Sequence, residues 1–334
     1  MKNHTIIFDN PVSISATTTI AGPKEGEGPL HKYFHNIIKD DLLGQKSYEL
    51  AEIKMHIYAI RNLLNNAHLT QEDIDCIFSG DLLDEIIGSN YTMREYDIPF
   101  FGLYNACATF GEALIMGATM ISNGVMERVI CSTTSHFSTA ERQYRNPLEL
   151  GSQRPPVAQW TVTGAGCSLL SSKENSKIKI TSATIGRVVD YGVTDANNMG
   201  SAMAPAAMDT IITHLKDTNR DLDYYDLILT GDLGQAGVRM LTKLMKEKNY
   251  DLNITNYDDC GVLIFNTEFQ KTEQGGSGAA CSNLVFNSYI YKQLKLGKLK
   301  KVLLVPTGAL VSKISSLQGE SIPAIAHAIA IEVM

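Results

Sequence analysis

The chain has no excess of positive charge: 29 Lys and Arg stand against 36 Asp and Glu in 334 residues, a net charge of -7. That removes any general electrostatic reason to bind nucleic acid, and only a local basic groove would restore one. Long apolar runs are missing as well. The longest, such as Lys301 to Val311, are broken by Pro, Gly or polar residues, short of the ~20 residues of a spanning helix, so a soluble or peripheral protein is expected. The N-terminal residues have no basic start, no apolar stretch of signal-peptide length and no small-residue cleavage site, which predicts residence inside a cell. Six cysteines, Cys76, Cys107, Cys131, Cys167, Cys260 and Cys281, occur without CxxC spacing and in apolar or Ala/Gly surroundings. This argues against a disulfide framework and a zinc site; reduced thiols and no resident metal or cofactor are expected. What the chain does have is 44% apolar residues, enough for one large core or two ordinary ones.

No low-complexity tract divides the chain, although Asn146 to Gln159, with Pro147, Pro155 and Pro156, reads as a long loop. Elsewhere short β-rich runs alternate with helical patterns, the mark of α/β architecture. Ser47 to Asn66 repeats Leu50, Ile53, Ile57, Ile60 and Leu64 at helical spacing, with Ser47 as cap and Glu52, Lys54 and Arg61 on the opposite face. Arg128 to Thr134 and Ile178 to Val188, rich in β-branched residues, read as strands. The two halves also match. Ile74-Asp-Cys-Ile-Phe-Ser-Gly-Asp-Leu82 recurs as Tyr225-Asp-Leu-Ile-Leu-Thr-Gly-Asp-Leu233, each a buried strand ending in Gly-Asp. Ala106-Cys107-Ala108 and Ala280-Cys281-Ser282 then open helical patterns, and a strand begins at Val129 and at Val302 after nearly equal intervals. A duplication is expected, with residues 1–175 as the N-terminal half carrying the Cys107 turn and 176–334 as the C-terminal half.

A duplicated strand-helix-strand order with a cysteine at a strand-to-helix turn resembles the thiolase fold, two pseudo-symmetric halves in layers α-β-α-β-α. A narrower resemblance is carried by Ala21-Gly-Pro-Lys-Glu-Gly-Glu-Gly-Pro-Leu30, Ser79-Gly-Asp-Leu-Leu83, Ser135-His136 with Thr139-Ala-Glu-Arg-Gln-Tyr-Arg145, Met199-Gly-Ser-Ala-Met-Ala-Pro-Ala-Ala207 and Gly275-Gly-Ser-Gly278. Together these resemble the stage V sporulation AD proteins of spore-forming bacteria, from about residue 6 to about 330.

Each candidate residue has a functional and a plain reading. Cys107, at the start of the helix-like stretch Ala106 to Asn123, is either a nucleophile whose pKa the helix end lowers, as in the acyl-transferring relatives, or a small buried thiol filling space. Condensation also needs a His and an Asn or second His to polarise the thioester carbonyl. Where the resembled ketoacyl synthases carry that His, this sequence has Asp232, and where they carry Gly-Asn it has Gly275-Gly276, so condensation is disfavoured. Asp81 and Asp232, equivalent in the repeat, either converge beside Cys107 to hold a cation or cap their own turns. Arg142 and Arg145, three apart on a helix with His136 before them, form a dicarboxylate fork or an ion pair with Glu141 or Glu149. Gly275 to Gly278 offers amides to an anion or packs a helix closely. Gly22 to Pro29 reads as a surface excursion folding over a neighbour, and Pro205 as the start of a helix running to Leu215.

The resemblance implies a function. Stage V sporulation AD proteins bind dipicolinic acid, pyridine-2,6-dicarboxylic acid, or its calcium chelate, and work with integral membrane subunits that move it into the developing spore. A non-catalytic protein is therefore expected, a homodimer peripheral at the spore inner membrane. Its ligand would be gripped by Asp81, Cys107, His136, Arg142, Arg145, Asp232 and Gly276. The rival expectations are an acyltransferase or condensing enzyme using Cys107, and a purely structural subunit of the membrane complex.

Overall fold

The computed structural model describes residues 4–144, 154–252 and 256–334. One half of its sheet has the strand order Thr5–Ala21, Gly164–Ser171, Arg128–Ser135, Cys76–Gly80, Phe100–Gly102, the first two pairings antiparallel and the last two parallel. The other half repeats order and sense with Ile178–Thr184, Ala328–Val333, Lys301–Val305, Leu227–Thr230 and Tyr257–Asp259. The two Gly-Asp strands of the sequence repeat, Cys76–Gly80 and Leu227–Thr230, hold equivalent places. The two sets are joined by one long strand, Thr5–Ala21. Its first part pairs with Ile178–Thr184 and its second with Gly164–Ser171, the registers shifting after Ile7 and after Ile14.

Helices cover the sheet on three levels. The inner level is the helix Thr109–Ser122 with the helical run from Cys281 to Lys295, whose Phe110, Leu114, Leu284 and Phe286 share one apolar cluster with strand residues of both halves. Burial on every side explains why Thr109–Ser122 has almost no polar face. Close contact on two sides uses its glycines: a Cβ on Gly111 would meet Pro306 at 3.1 Å, and one on Gly117 would meet Cys131 and Val129 at 2.9 Å. Neither neighbour yields easily. Outside, Tyr48–Ala67 packs on the first half, and Met199–Thr218 with Gly234–Glu247 on the second, each over its own cluster.

Local signals hold up where they are strong. Ser47 caps Tyr48–Ala67, its hydroxyl accepting from the Leu50 amide at 3.3 Å. The buried stripe of that helix is rotated from the expected one, however: Ala51, Met55, Ala59 and Leu63 face inward, Leu50 is 44% exposed, and Glu52 is buried. Two alanines let the helix sit close, and the side chain of Glu52 finds a partner in the Thr139 hydroxyl at 2.8 Å. Pro205 does not start its helix. It lies inside Met199–Thr218, where the missing N–H costs one bond to the preceding turn. Gly22 to Pro29 is no mere surface excursion either, because the short helix Pro23–Gly26 buries Glu25, which accepts from the Thr163 amide at 3.0 Å. All six cysteines are free and buried.

Candidate ligand cleft

The strand Phe100–Gly102 leads through Leu103 to Asn105 into a sharp turn that delivers Cys107 to the head of Thr109–Ser122. Ala106 takes the left-handed φ of 49° just before the thiol, a conformation unusual for alanine. It is held by local bonds. The Asn105 amide donates to Thr109 Oγ1 at 2.9 Å, and that hydroxyl donates to the Ala106 carbonyl at 2.7 Å. Cys107 opens into a cleft whose walls include Leu82, Tyr104, Tyr144, Met199 and Val311. Polar groups on the lining are few: Ser277, 4.0 Å from the thiol, Thr161, and the carboxylate of Glu141. Tyr104 and Tyr144 are joined through their hydroxyls at 2.8 Å, and Tyr144 donates onward to the Leu82 carbonyl.

The second half reaches Cys107 through Asp232, which follows the strand Leu227–Thr230. One oxygen accepts from Thr307 Oγ1 at 2.7 Å, the other from the Gly278 amide at 3.1 Å, and the thiol of Cys107 is also a donor toward it. Burial pushes the Asp232 carboxyl up to about 6, against which these donors work. Cys107 is pushed well above the ordinary thiol value, first by burial and then by the Asp232 charge. The helix end does not produce a thiolate here, because a buried sulfur beside a carboxylate is better off protonated.

Gly276, in the short strand Gly276–Ser277, has no room for a side chain: a Cβ would lie 2.7 Å from Ile264 Cγ2. Its carbonyl accepts from Gln159 Nε2 at 3.1 Å, and the same amide group donates to the Asp232 carbonyl at 2.5 Å. From the Gly275 to Gly278 piece, then, one amide meets a carboxylate of the protein itself, and Gly275, Gly276 and Gly278 all serve close packing.

The remaining sequence candidates are not gathered here. The Asp81 oxygens accept from the amides of Leu83 at 2.9 Å and Ser89 at 2.6 Å, so this carboxyl closes its own turn. The acid it neighbours is Glu52, which burial and then the Asp81 charge push upward, and not Asp232. The equivalent positions in the repeat thus diverge, and among the described residues no three His, Cys, Asp or Glu side chains form a metal-binding group. His136 is buried, with Nδ1 accepting from the Ser138 amide at 3.1 Å and Nε2 directed at the Asp41 carbonyl at 3.0 Å. This fixes a neutral ring protonated at Nε2, and burial lowers its pKa. Arg142 pairs at 2.9 Å with Glu49, rather than with Glu141 as the spacing suggests, and it does not line the cleft. Arg145 lies outside the described residues.

Sequence reasoning passed over Tyr104, Tyr144, Ser277 and Thr307, and it took Glu141 only as a neighbour for Arg142. Glu141 instead bonds Arg154 at 2.9 Å. Met199 carried a usable signal in its small-residue stretch suited to a cleft wall, and Tyr144 and Ser277 lie within stretches that already stand out, Thr139 to Arg145 and Gly275 to Gly278. His327 comes nearest to the Cys107 turn through hydrogen bonding, with Nε2 3.0 Å from the Asn105 side chain and Nδ1 accepting from Gly186 N at 3.2 Å. With Nδ1 an acceptor, Nε2 carries the proton, and Asn105 must present its oxygen to it. Neither ring nitrogen is directed at the thiol.

The family model of Stage V sporulation protein AD matches residues 2–332. Stage V sporulation protein AD of Bacillus subtilis (strain 168) is 44% identical over 328 residues, 98% of this chain and 96% of that protein. Among solved structures, cerulenin-bound OleA of Xanthomonas campestris superposes with a TM-score of 0.62 at 13% identity, covering 98% of this chain and 100% of that one. The 3-oxoacyl-[acyl-carrier-protein] synthase III of Aquifex aeolicus VF5 gives 0.55 at 13% identity, covering 97% and 100%. At such identities these two similarities establish the thiolase-like fold and nothing about chemistry.

Proposed function

The chain belongs to the stage V sporulation protein AD family, and from that membership we propose that it binds dipicolinic acid, or the calcium chelate of that acid, without turning it over. The observation that carries this reading is the pairing of Cys107 with Asp232. A condensing enzyme needs a thiolate and neutral or positive donors for the enolate oxygen. Here the thiol is held protonated, the group facing it is a carboxyl that repels an oxyanion, and Gly276 supplies a carbonyl that accepts rather than donates.

The cleft suits a flat ring. Leu82, Met199 and Val311 supply apolar walls, Tyr104 and Tyr144 supply aromatic ones, and Ser277 with Thr161 places hydroxyls within the lining. Calcium, where present, would come already held by the donor atoms of the dipicolinate. Among the described residues no helix is long and apolar enough to cross a membrane. A passage for the ligand would therefore be formed by integral membrane subunits, with this chain, as a homodimer, docked to them at the inner membrane of the spore.

Calorimetric titration of the purified protein with dipicolinate, with and without calcium, tests the binding. No heat in either condition would favour a purely structural subunit. Incubation with acyl-CoA followed by mass spectrometry tests the catalytic alternative, which a stable adduct on Cys107 would establish in place of our reading.

A further inference from the structure

A dicarboxylate in an apolar cleft needs cationic donors, yet the one charged side chain on the described lining is an acid, Glu141. Arg154, not itself on that lining, donates from Nη1 to Glu141 Oε1 at 2.9 Å, both side chains being mostly buried, so a ligand reaches it where Glu141 gives way. The guanidinium does not hang loose. It lies 4.9 Å from the ring centre of Trp160 and 5.4 Å from that of Phe137, and these two rings are stacked at 3.9 Å. Phe137 precedes Ala140, Glu141 and Tyr144 on one helix, Trp160 adjoins Thr161, and all four of these neighbours line the cleft. The stack thus fixes Arg154 against the two walls that would enclose the ligand. Arg142, by contrast, is half-exposed and directed at Glu49.

We propose that Glu141 and Arg154 are the specificity-determining pair of the cleft: a bound dicarboxylate takes guanidinium donors that Glu141 occupies in the unliganded protein. This rests on the dicarboxylate-binding reading above. Planar N–H forks match carboxylates, and an arginine already oriented by stacking loses little freedom on engaging one. Glu141 then has two roles. It keeps the buried cation paired while the cleft is empty, and it competes with any ligand too weakly charged to displace it.

The test is calorimetry in chelator-containing buffer with dipicolinate and with picolinate, which lacks the second carboxylate. In Arg154→Gln the preference for dipicolinate over picolinate should fall about ten-fold or more, the scale of a lost charge-assisted pair. Glu141→Gln should tighten dipicolinate binding several-fold by removing the competitor. Because Arg154→Gln takes from the buried Glu141 its 2.9 Å bond, the double variant Glu141→Gln, Arg154→Gln guards against misfolding; it should melt like the wild type and show the same reduced preference. A preference unchanged in a folded double variant overturns the inference. A wild type that binds neither acid in this buffer, nor dipicolinate when calcium is supplied, removes the underlying reading instead.

Discussion

Asp232→Asn isolates the charge that faces Cys107. The folded carboxyl is raised to about 6 from an ordinary 3.8, chiefly by burial. For an acid with a raised folded pKa, the stabilising contribution is complete below the unfolded value and is lost as pH rises through the folded one. The difference of roughly two units corresponds to about 3 kcal/mol that the wild type loses between pH 4 and pH 7. Asparagine loses none of this, and it keeps an oxygen for the Thr307 hydroxyl. Its amide nitrogen, however, faces the Gly278 N–H, which strands a buried donor at a cost of about 1–3 kcal/mol. The variant should therefore be less stable than the wild type by that amount at about pH 4 and below, and equal to it or up to about 2 kcal/mol more stable above about pH 7. Urea unfolding at several pH values measures the gap. The difference between the proteins is the quantity to read, since Glu25, raised to about 8, titrates in both. Two parallel stability curves would refute the assignment of a raised carboxyl to this position.

Three other outcomes are expected. Gly276→Ala should cost about 1–3 kcal/mol in thermal or chemical unfolding because its methyl meets Ile264, and a neutral result would show that Ile264 gives way to it. Native Cys107 should react with iodoacetamide at pH 8 far more slowly than a free thiol, as followed by peptide mass spectrometry; rapid labelling would mean a thiolate and revive the catalytic reading. Glu25→Gln should flatten the fall in stability between about pH 5 and pH 8, because over that range the acid, raised to about 8 by desolvation, is ionised in the unfolded wild type but still protonated in the folded one, and the variant has no such group. A melting midpoint that drops equally in both proteins would exclude Glu25 as the cause.

What the sequence alone determined is whatever depends on neighbours along the chain. Ser47 caps its helix because an N-cap hydroxyl reaches an amide three residues on. The strands ending at Gly80 and before Asp232 were legible because parallel strands buried on both faces must be continuously apolar. The turn before Cys107 was visible in the same way, from residues adjacent along the chain.

Tertiary structure decided what each polar group meets. Asp81 and Asp232 end near-identical segments, yet one is bonded by the amides of its own turn and the other by Thr307 and Gly278 from distant stretches. Glu141 sits beside Arg142 in sequence but bonds Arg154, while Arg142 turns to Glu49. A side chain's partner, its desolvation and hence its proton affinity are set by atoms brought together across the fold, and periodicity along the chain carries no information about them.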